Sequence, residues 1–280
     1  MQTIQFPPTA TIYITSRCNN NCKHCFGPKN VPEMDFSKLK ELFCLLRVRG
    51  VKAILLGGGE PLLRDDFGEI LKELAIYNFK IFLDTSGDLF FRYRDLISEH
   101  VDVLGLPIDF PDSSYRNKDN LRTVLRVLSY YQQLGKRPII RIGTVVTKDN
   151  FERLSDIGGL LRNYPVDIWK IYQFTPQNIN AIKNVSILQI SKEKFDNAVQ
   201  NLENIFSGNF KVVISRREDR DRAYFFVASD GVVIMPYDNM SICRQIKIGN
   251  IFDNDILDKW EKCVLKGRYF SNAEATFNYK

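Results

Sequence analysis

The chain has 280 residues, which suits one or two domains and is ample for a sizeable core. Hydrophobic residues make up 44% and charged residues 26%, a mixture that excludes a mostly disordered, collagen-like or disulfide-dense chain. The net charge is +6 but forms no continuous basic stripe, so a nucleic-acid substrate is disfavoured. No apolar run approaches the ~20 residues of a membrane span and Met1–Thr9 shows no signal peptide, so we expect a cytoplasmic protein without a membrane partner.

Short β-branched segments alternate with segments of helical period over the first 175 residues. The predicted strands are Thr11–Thr15, Ala53–Leu56, Ile81–Asp84, Val101–Leu106, Ile139–Val146 and Asp167–Phe174. The predicted helices are Phe36–Arg49, Phe67–Ile76, Tyr93–Glu99, Asn120–Leu134 and Phe151–Leu161. Parallel neighbouring strands require crossover helices, and right-handed crossovers curl the sheet. The alternation therefore predicts an α/β fold with a partial (β/α)6 TIM-like barrel.

The pattern changes after Thr175. We predict a polar loop over Gln177–Val185 and a helix over Ser191–Phe206, with Ser191 as its N-cap. The remaining predicted elements are strands at Val212–Ile214, Ala223–Val227 and Val232–Met235, an Asp-Gly hairpin turn at 228–231 and a helix at Ile256–Leu265. We therefore expect a barrel core over residues 1–175. Residues 176–280 would form a small β-hairpin and helix extension that closes the barrel.

Three cysteines lie within eight residues, just after the first predicted strand, at the spacing C-x3-C-x2-C. They are Cys18, Cys22 and Cys25. In a reducing compartment such clustering favours metal over disulfides, and loops after barrel strands carry the sites of such folds. Three thiolates could hold three irons of a 4Fe–4S cube and leave the fourth iron open to another ligand. A zinc site that adds His24 or the distant Cys243 is the alternative, although zinc sites usually use two matched pairs.

The cysteine loop, together with Gly57-Gly58-Gly59-Glu60-Pro61 at the end of the second strand, resembles the radical S-adenosylmethionine (SAM) superfamily. The resemblance covers roughly residues 10–175. It implies that the three cysteines ligate one 4Fe–4S cluster whose open iron is chelated by SAM. It also implies that Gly58 and Gly59 offer backbone groups to SAM, since missing side chains let the backbone approach a ligand.

Further strand ends match the same family. Asp84-Thr85-Ser86-Gly87 resembles a SAM-contacting turn, with Ser86 in place of the usual Asn, and Ile108-Asp109 resembles an S-x-D segment. Asn150 either matches a helix-entry motif of the family or is an N-cap. The resemblance also places the adenine of SAM near Ile171–Phe174; the alternative is that Trp169 and Phe174 belong to the hydrophobic core. The residues implied in SAM binding are His24, Gly58, Gly59, Glu60, Thr85, Ser86, Asp109, Arg141 and Gln173.

The resemblance also implies an activity. An electron donor such as flavodoxin or ferredoxin would reduce the cluster, and SAM would be cleaved to a 5′-deoxyadenosyl radical that abstracts hydrogen from a substrate. The cofactor supplies this chemistry and the protein orients and shields it. Our candidates for substrate contact are Lys170, Arg217 and Arg220. The arginine group at 216–222 indicates either a solvated loop or helix, or a phosphate- or acid-binding patch.

The C-terminal region, with Gly249-Asn250-Ile251 and Trp260, resembles the end of SPASM/twitch radical-SAM enzymes. Tyr237 stands where that group has a cysteine, and two distant cysteines, Cys243 and Cys263, are too few for a second cluster. We expect both to be buried apolar thiols. A peptide or small-molecule substrate is favoured.

Two alternatives remain open at this point. One is a viperin-like enzyme acting on a nucleotide, which the strand Trp169–Phe174 and the arginine group support. Thr11 and Tyr13 depart from the Asn and His that such enzymes carry in the first strand. The other is a non-catalytic, metal-stabilised binding protein, which the complete cysteine triad and the glycine motif oppose.

A single cluster can be tested by anaerobic reconstitution with iron and sulfide. We expect about four irons per chain, since the chain offers one three-cysteine loop for one cube. Quantified iron and acid-labile sulfide measure this. About eight irons per chain would contradict the prediction and indicate a second cluster in the C-terminal region.

Overall fold

The computed structural model describes residues 6–112, 120–238 and 243–277. Residues 1–5, which belong to the segment Met1–Thr9 that shows no signal peptide, lie outside the described residues. The strands are β1 (Thr9–Thr15), β2 (Ala53–Gly58), β3 (Lys80–Asp84), β4 (Val103–Pro107), β5 (Ile139–Val146), β6 (Ile168–Gln173), β7 (Lys211–Ser215), β8 (Phe226–Val227), β9 (Val232–Asp238) and β10 (Cys243–Asn250). The helices are α1 (Phe36–Val48), α2 (Phe67–Ile76), α3 (Phe90–His100), α4 (Asn120–Gln132), α5 (Leu154–Leu161), α6 (Ile179–Lys183), α7 (Val185–Leu188), α8 (Lys192–Val199), α9 (Leu202–Ile205), α10 (Ile256–Cys263) and α11 (Lys266–Phe277). Short 3-10 turns lie at Pro61–Leu63, Phe151–Arg153 and Glu218–Arg220.

The strands form one sheet in the order β10-β9-β8-β1-β2-β3-β4-β5-β6-β7. From β1 to β7 the neighbours are parallel and follow chain order, with helices as crossovers. β8 pairs parallel with the other side of β1, and β9 and β10 continue as antiparallel strands. This confirms the predicted α/β partial barrel. All six predicted barrel strands are present, with ends displaced by at most two residues.

The barrel strands alternate between an outer and an inner face. On β1, Ile12 and Ile14 face outward and are fully buried in the main core with the helices. Residues in the amino-terminal halves of β2, β3, β4 and β6 form a separate small apolar cluster, which we call the floor: Ala53, Phe82, Val103 and Ile168. The floor fills the amino end of the barrel and leaves the carboxyl end for polar side chains.

The C-terminal half departs from expectation in several places. The loop predicted over Gln177–Val185 is wrong, because Asn178 caps a short helix there: its side-chain oxygen accepts from the amides of Asn180 and Ala181. The single helix predicted over Ser191–Phe206 is also wrong. Ser191 is its N-cap as predicted, but α8 ends at Val199 and Asn201 adopts a left-handed φ of 67° before α9.

The hairpin predicted at 228–231 is confirmed, since β8 and β9 pair antiparallel and Gly231 takes φ of +84°. The sequence pattern did not predict β10 or α11. It also did not place residues 211–215 in the barrel, where they pair parallel with β6.

Helix α11 covers the open side of the barrel. The Tyr269 hydroxyl accepts from the Thr9 amide (3.0 Å) and donates to the Thr9 carbonyl (2.8 Å), which joins α11 to β1. Asn272 donates to the Asp219 carbonyl (3.0 Å) in the segment after β7. One helix therefore bridges the two ends of the parallel sheet that do not pair with each other. In the described part of the chain, no helix is both long and apolar enough to cross a membrane.

The packing of α5 against Phe206 can be tested by comparing substitutions at two adjacent glycines. A Cβ built on Gly158 would lie 2.1 Å from the Phe206 ring, so Gly158→Ala should lower the free energy of unfolding by about 1–3 kcal/mol. The adjacent Gly159 is exposed with nothing within 4 Å of its Cβ position. Gly159→Ala should therefore be neutral or stabilise by up to about 1 kcal/mol. Chemical denaturation measures both, and equal stability of the two variants would contradict this packing.

Candidate active site

A cavity of about 380 Å³ occupies the carboxyl end of the barrel. It is lined by all three loop cysteines, by the turn after β2 and by inward-facing residues of β1 to β6. The predicted site residues that line it are His24, Gly58, Gly59, Glu60, Thr85, Ser86, Arg141, Lys170, Gln173 and Arg220. Asp109 and Arg217 are not among the lining residues. The fold therefore gathers most of the set chosen from sequence around one cavity.

The cysteine loop leaves β1 and turns back along the cavity. Cys22 is buried, and Cys18 and Cys25 are half-buried. The Asn20 amide donates to the Cys18 sulfur (3.4 Å), and the Cys25 amide donates to the Cys22 carbonyl (3.3 Å). Burial raises the pKa of the Cys18 thiol, and a bound metal ion would have to displace that proton because only the thiolate ligates.

Side chains outside the motif hold this loop. The Ser16 hydroxyl donates to the Val31 carbonyl (2.8 Å) and accepts from the Val31 amide (2.9 Å). At its far end, Asn178 donates to the Gly27 carbonyl, and Asn180 donates to the Asn21 side chain (2.9 Å). The two asparagines lie at the start of α6, in the segment predicted to be a loop. Three Asn residues between 178 and 184 were the only sequence signal for this anchor.

The glycine turn after β2 lies directly against the start of the cysteine loop. The Gly59 amide donates to the Thr15 carbonyl and the Glu60 amide to the Arg17 carbonyl, both at 2.8 Å. Gly58 has φ of +131°, and a Cβ on Gly59 would lie 2.0 Å from the Arg17 carbonyl oxygen. Only glycine permits this approach. The turn and the loop thus form one backbone unit.

The Glu60 carboxylate points to the turn after β3. It accepts from the Thr85 hydroxyl (2.5 Å), the Ser86 amide (2.7 Å) and the Leu62 amide (3.2 Å). Burial raises the pKa of this carboxyl, against the opposing effect of those hydrogen bonds. Glu60 therefore connects the turns after β2 and β3, and Thr85 and Ser86 are held in place by it.

Asp109 and Asn150 connect the ends of β4 and β5. Asp109 accepts from the Val145 amide (2.8 Å), and its other oxygen lies 3.7 Å from His24 Nε2, with both side chains buried. Asn150 donates to the carbonyls of Asp109 and Val145, both at 2.9 Å. Asn150 occupies the N-cap position of the 3-10 turn at Phe151–Arg153, as the alternative assignment predicted, but its side chain makes no capping hydrogen bond there.

Arg141 on β5 pairs with Asp84 on β3 across the strand between them. A Cβ on Gly105 of β4 would lie 1.9 Å from the Asp84 carboxylate, so the pair needs that glycine. Arg141 is buried and lines the cavity as an ion pair. Asp84 was quoted in the motif after β3 but was not assigned as a site residue.

The β6 side of the cavity carries Lys170, Tyr172 and Gln173. The Gln173 side chain accepts from the Arg217 amide (2.9 Å), and Arg217 itself makes a two-point ion pair with Asp238. Trp169 faces outward: it packs on Phe206 and Phe210 and donates to the Thr144 hydroxyl (2.9 Å). Its assignment as aromatic core is confirmed.

The interpretation of the arginine group as a solvated segment is wrong for two of its members. Arg217 and Arg220 are 7% and 8% exposed. Their aliphatic stems and heads are enclosed because the segment lies between β7 and α11 and not on an outer face. Arg220 lines the cavity, whereas Arg217 is occupied by its carboxylate partner.

The expectation of buried apolar thiols is wrong for Cys243 and holds in part for Cys263, which packs against the main core. Both are half-buried. Cys243 begins β10 beside charged Asp238 and Arg217, and partial burial raises the pKa of its thiol to about 12. Cys44 is exposed on α1. Cys243 does not line the cavity.

The candidate metal ligands of this site fit a 4Fe–4S cluster better than a single zinc ion. Zinc needs ligands that converge on one position. Across residues 6–112, 120–238 and 243–277, no three His, Cys, Asp or Glu side chains do so. In a 4Fe–4S cube each cysteine binds a different iron, so separate thiols around one cavity suit it. Cys18, Cys22 and Cys25 would hold the cluster.

A sequence model described as the Radical SAM superfamily matches residues 12–161, more than half of the chain. The chain therefore belongs to the radical SAM superfamily. It is an enzyme of the class that uses a 4Fe–4S cluster and SAM. The family and the cofactors predicted from the motifs are thus confirmed.

Similar proteins carry several names. An uncharacterized protein of Archaeoglobus fulgidus is 30% identical over 52% of this chain and 36% of its own length. A probable GTP 3′,8-cyclase of Methanothermobacter marburgensis is 25% identical over 83% of this chain and 77% of its own length. The structure of anSMEcpe with bound AdoMet and a Cp18Cys peptide superposes with a TM-score of 0.70 at 19% identity, over 93% of this chain and 83% of that one. This structural likeness shows the shared fold.

The contact between the glycine turn and the cysteine loop predicts the effect of Gly59→Ala. The new methyl group would displace the Arg17 carbonyl next to Cys18, so iron incorporation and SAM binding should both fall at least severalfold. Gly68→Ala is the control, because its Cβ would meet only the tip of Leu96 at 3.4 Å on the outer helix α2. Iron content and SAM titration report the result. A fully loaded Gly59→Ala protein would contradict the proposed geometry.

Proposed function

We propose that this enzyme cleaves SAM reductively and uses the resulting radical to abstract hydrogen from a peptide or small-molecule substrate. One observation carries the proposal: the three loop cysteines and the Gly58-Gly59-Glu60 turn border the same cavity. When bound, the cluster and SAM supply a 5′-deoxyadenosyl radical, which is the hydrogen-abstracting species. The protein's own groups bind and orient SAM and keep water from the site.

The assignment of SAM contacts follows from which groups the fold leaves at the cavity. Gly58 and Gly59 present backbone there without side chains, and Thr85 and Ser86 are positioned beside them by Glu60. His24 borders the same space, and Asp109 would act on SAM only by positioning His24. Arg141 and Gln173 complete the proposed set.

Aromatic side chains shield one side of the cavity. Phe226 stacks on Tyr13 with 5.4 Å between ring centroids and on Tyr224 with 4.8 Å, and Phe26 meets it edge-on. The apolar floor closes the amino end of the barrel. Such dry surroundings protect a reactive intermediate from side reactions.

A nucleotide substrate is the second candidate. Relatives that cover most of this chain are named as probable GTP 3′,8-cyclases, and the cavity contains the cations Lys170 and Arg220. A viperin-like enzyme is disfavoured, because such enzymes carry Asn and His in the first strand and this chain has Thr11 and Tyr13 on the inner face of β1. The degenerate SPASM-like end supports a peptide, and we keep the peptide or small molecule as the first proposal.

The electron is proposed to come from a flavodoxin or ferredoxin. Asn21 and Lys23 on the cysteine loop are exposed, so a donor could approach next to Cys22. A lysine there suits an acidic partner. We also propose that the protein works in the reducing cytoplasm, since its six cysteines are free. We propose residues 1–175 as the barrel core and residues 176–280 as the closing extension, which also supplies β7 as a seventh parallel strand of the barrel.

The radical chemistry predicts a clear variant pattern. Reconstituted wild type with SAM and dithionite should form 5′-deoxyadenosine, whereas Cys22→Ala should form none above background because one iron loses its ligand. Cys44→Ala is the matched control, since that cysteine is exposed on α1, and it should match wild type. Quantified 5′-deoxyadenosine decides this, and equal product from Cys22→Ala would refute the proposed cluster ligands.

A further inference from the structure

Arg220 is a buried cation on the cavity wall. It is 8% exposed and ends the 3-10 turn that follows β7. Its guanidinium donates to the Gln173 carbonyl, the Thr175 hydroxyl and, at 3.4 Å, the Arg216 carbonyl. All three acceptors are neutral.

The other arginines of the group have carboxylate partners. Arg216 pairs with Asp196 (2.9 Å), Arg217 pairs with Asp238, and Arg222 lies 3.4 Å from Asp221. Within the described ranges, no carboxylate lies within ion-pair distance of Arg220. Its burial lowers the pKa of its guanidinium, because removal from water disfavours the charged form. A buried charge is ordinarily paired, so this one calls for a counter-ion that the described chain does not supply.

A second cation, Lys170, lies against the same aromatic ring as Arg220. Tyr172 on β6 has the Arg220 guanidinium carbon 5.7 Å from its ring centroid and Lys170 Nζ 5.2 Å from the same ring. All three residues line the cavity. Arg141, which also lines the cavity, forms an ion pair with Asp84. Positive charge is thus concentrated on the β6 side of the cavity.

We propose that Arg220, with Lys170 against the same Tyr172 ring, binds an anionic oxygen group of the substrate, either a carboxylate or a phosphate. This inference rests on the proposed function and narrows its substrate class. Arginine suits both groups, because its planar fork matches two oxygens at once. Binding of the anion at Arg220 would place the remainder of the substrate in the cavity that the cysteine loop also lines.

The test is anaerobic calorimetric titration of cluster-loaded, SAM-bound enzyme with two probes, pyrophosphate for a phosphate source and N-acetylglycine for a peptide carboxylate. At least one should bind wild type, and Arg220→Gln should weaken that binding by about tenfold or more. Arg216→Gln is the matched control, since its side chain pairs with Asp196 and does not line the cavity, and it should bind like wild type. Lys170→Met provides a second variant and should also weaken the same probe.

Three outcomes would overturn the inference: neither probe binds wild type, Arg220→Gln binds as tightly as wild type, or the affinity for SAM itself falls in parallel in Arg220→Gln. The last would assign Arg220 to the SAM carboxylate. If Arg220→Gln does not fold, unweakened binding in Lys170→Met has the same meaning. The titration needs no turnover, so a failure of 5′-deoxyadenosine formation in wild type would concern the proposed function and not this anion site.

Discussion

The close approach of two backbones governs this structure. At the carboxyl end of the barrel the Gly58–Gly59 turn contacts the carbonyls of Thr15 and Arg17 so tightly that any Cβ would clash. The cysteines begin one residue later, at Cys18. The cysteine loop and the glycine turn therefore cannot move independently, and both are positioned by the pairing of β1 with β2.

Buried polar side chains extend this arrangement around the barrel. Glu60 connects the turn after β2 to the turn after β3, and Asp109 with Asn150 connects β4 to β5. Each makes its hydrogen bonds to backbone or to neighbouring turns, as buried polar groups require. Motif residues that invite a catalytic interpretation thus position their neighbours, whereas Arg220 lines the cavity with no carboxylate of the described residues at ion-pair distance.

The sequence predicted the first 175 residues well because strict alternation and helical period are local signals. It failed after that point where local signals are weak. Asn178 begins the short helix α6 through a side-chain cap, and Asn201 separates α8 from α9 through a left-handed turn. Composition alone does not distinguish either segment from a loop. Strand β10 was missed because its residues are half-buried or exposed and do not alternate between a buried and an exposed face.

Sequence by itself determined the family, the glycine turn and the six predicted barrel strands, and it indicated Cys18, Cys22 and Cys25 as the proposed cluster ligands, because each depends on residue type at short spacing. Only the tertiary structure decided which charges reach the cavity. Arg217 and Arg220 are three residues apart and identical in type, yet Asp238 neutralises one while the other faces the cavity. That difference arises from strand β9, whose position in the sheet depends on contacts that are distant in sequence.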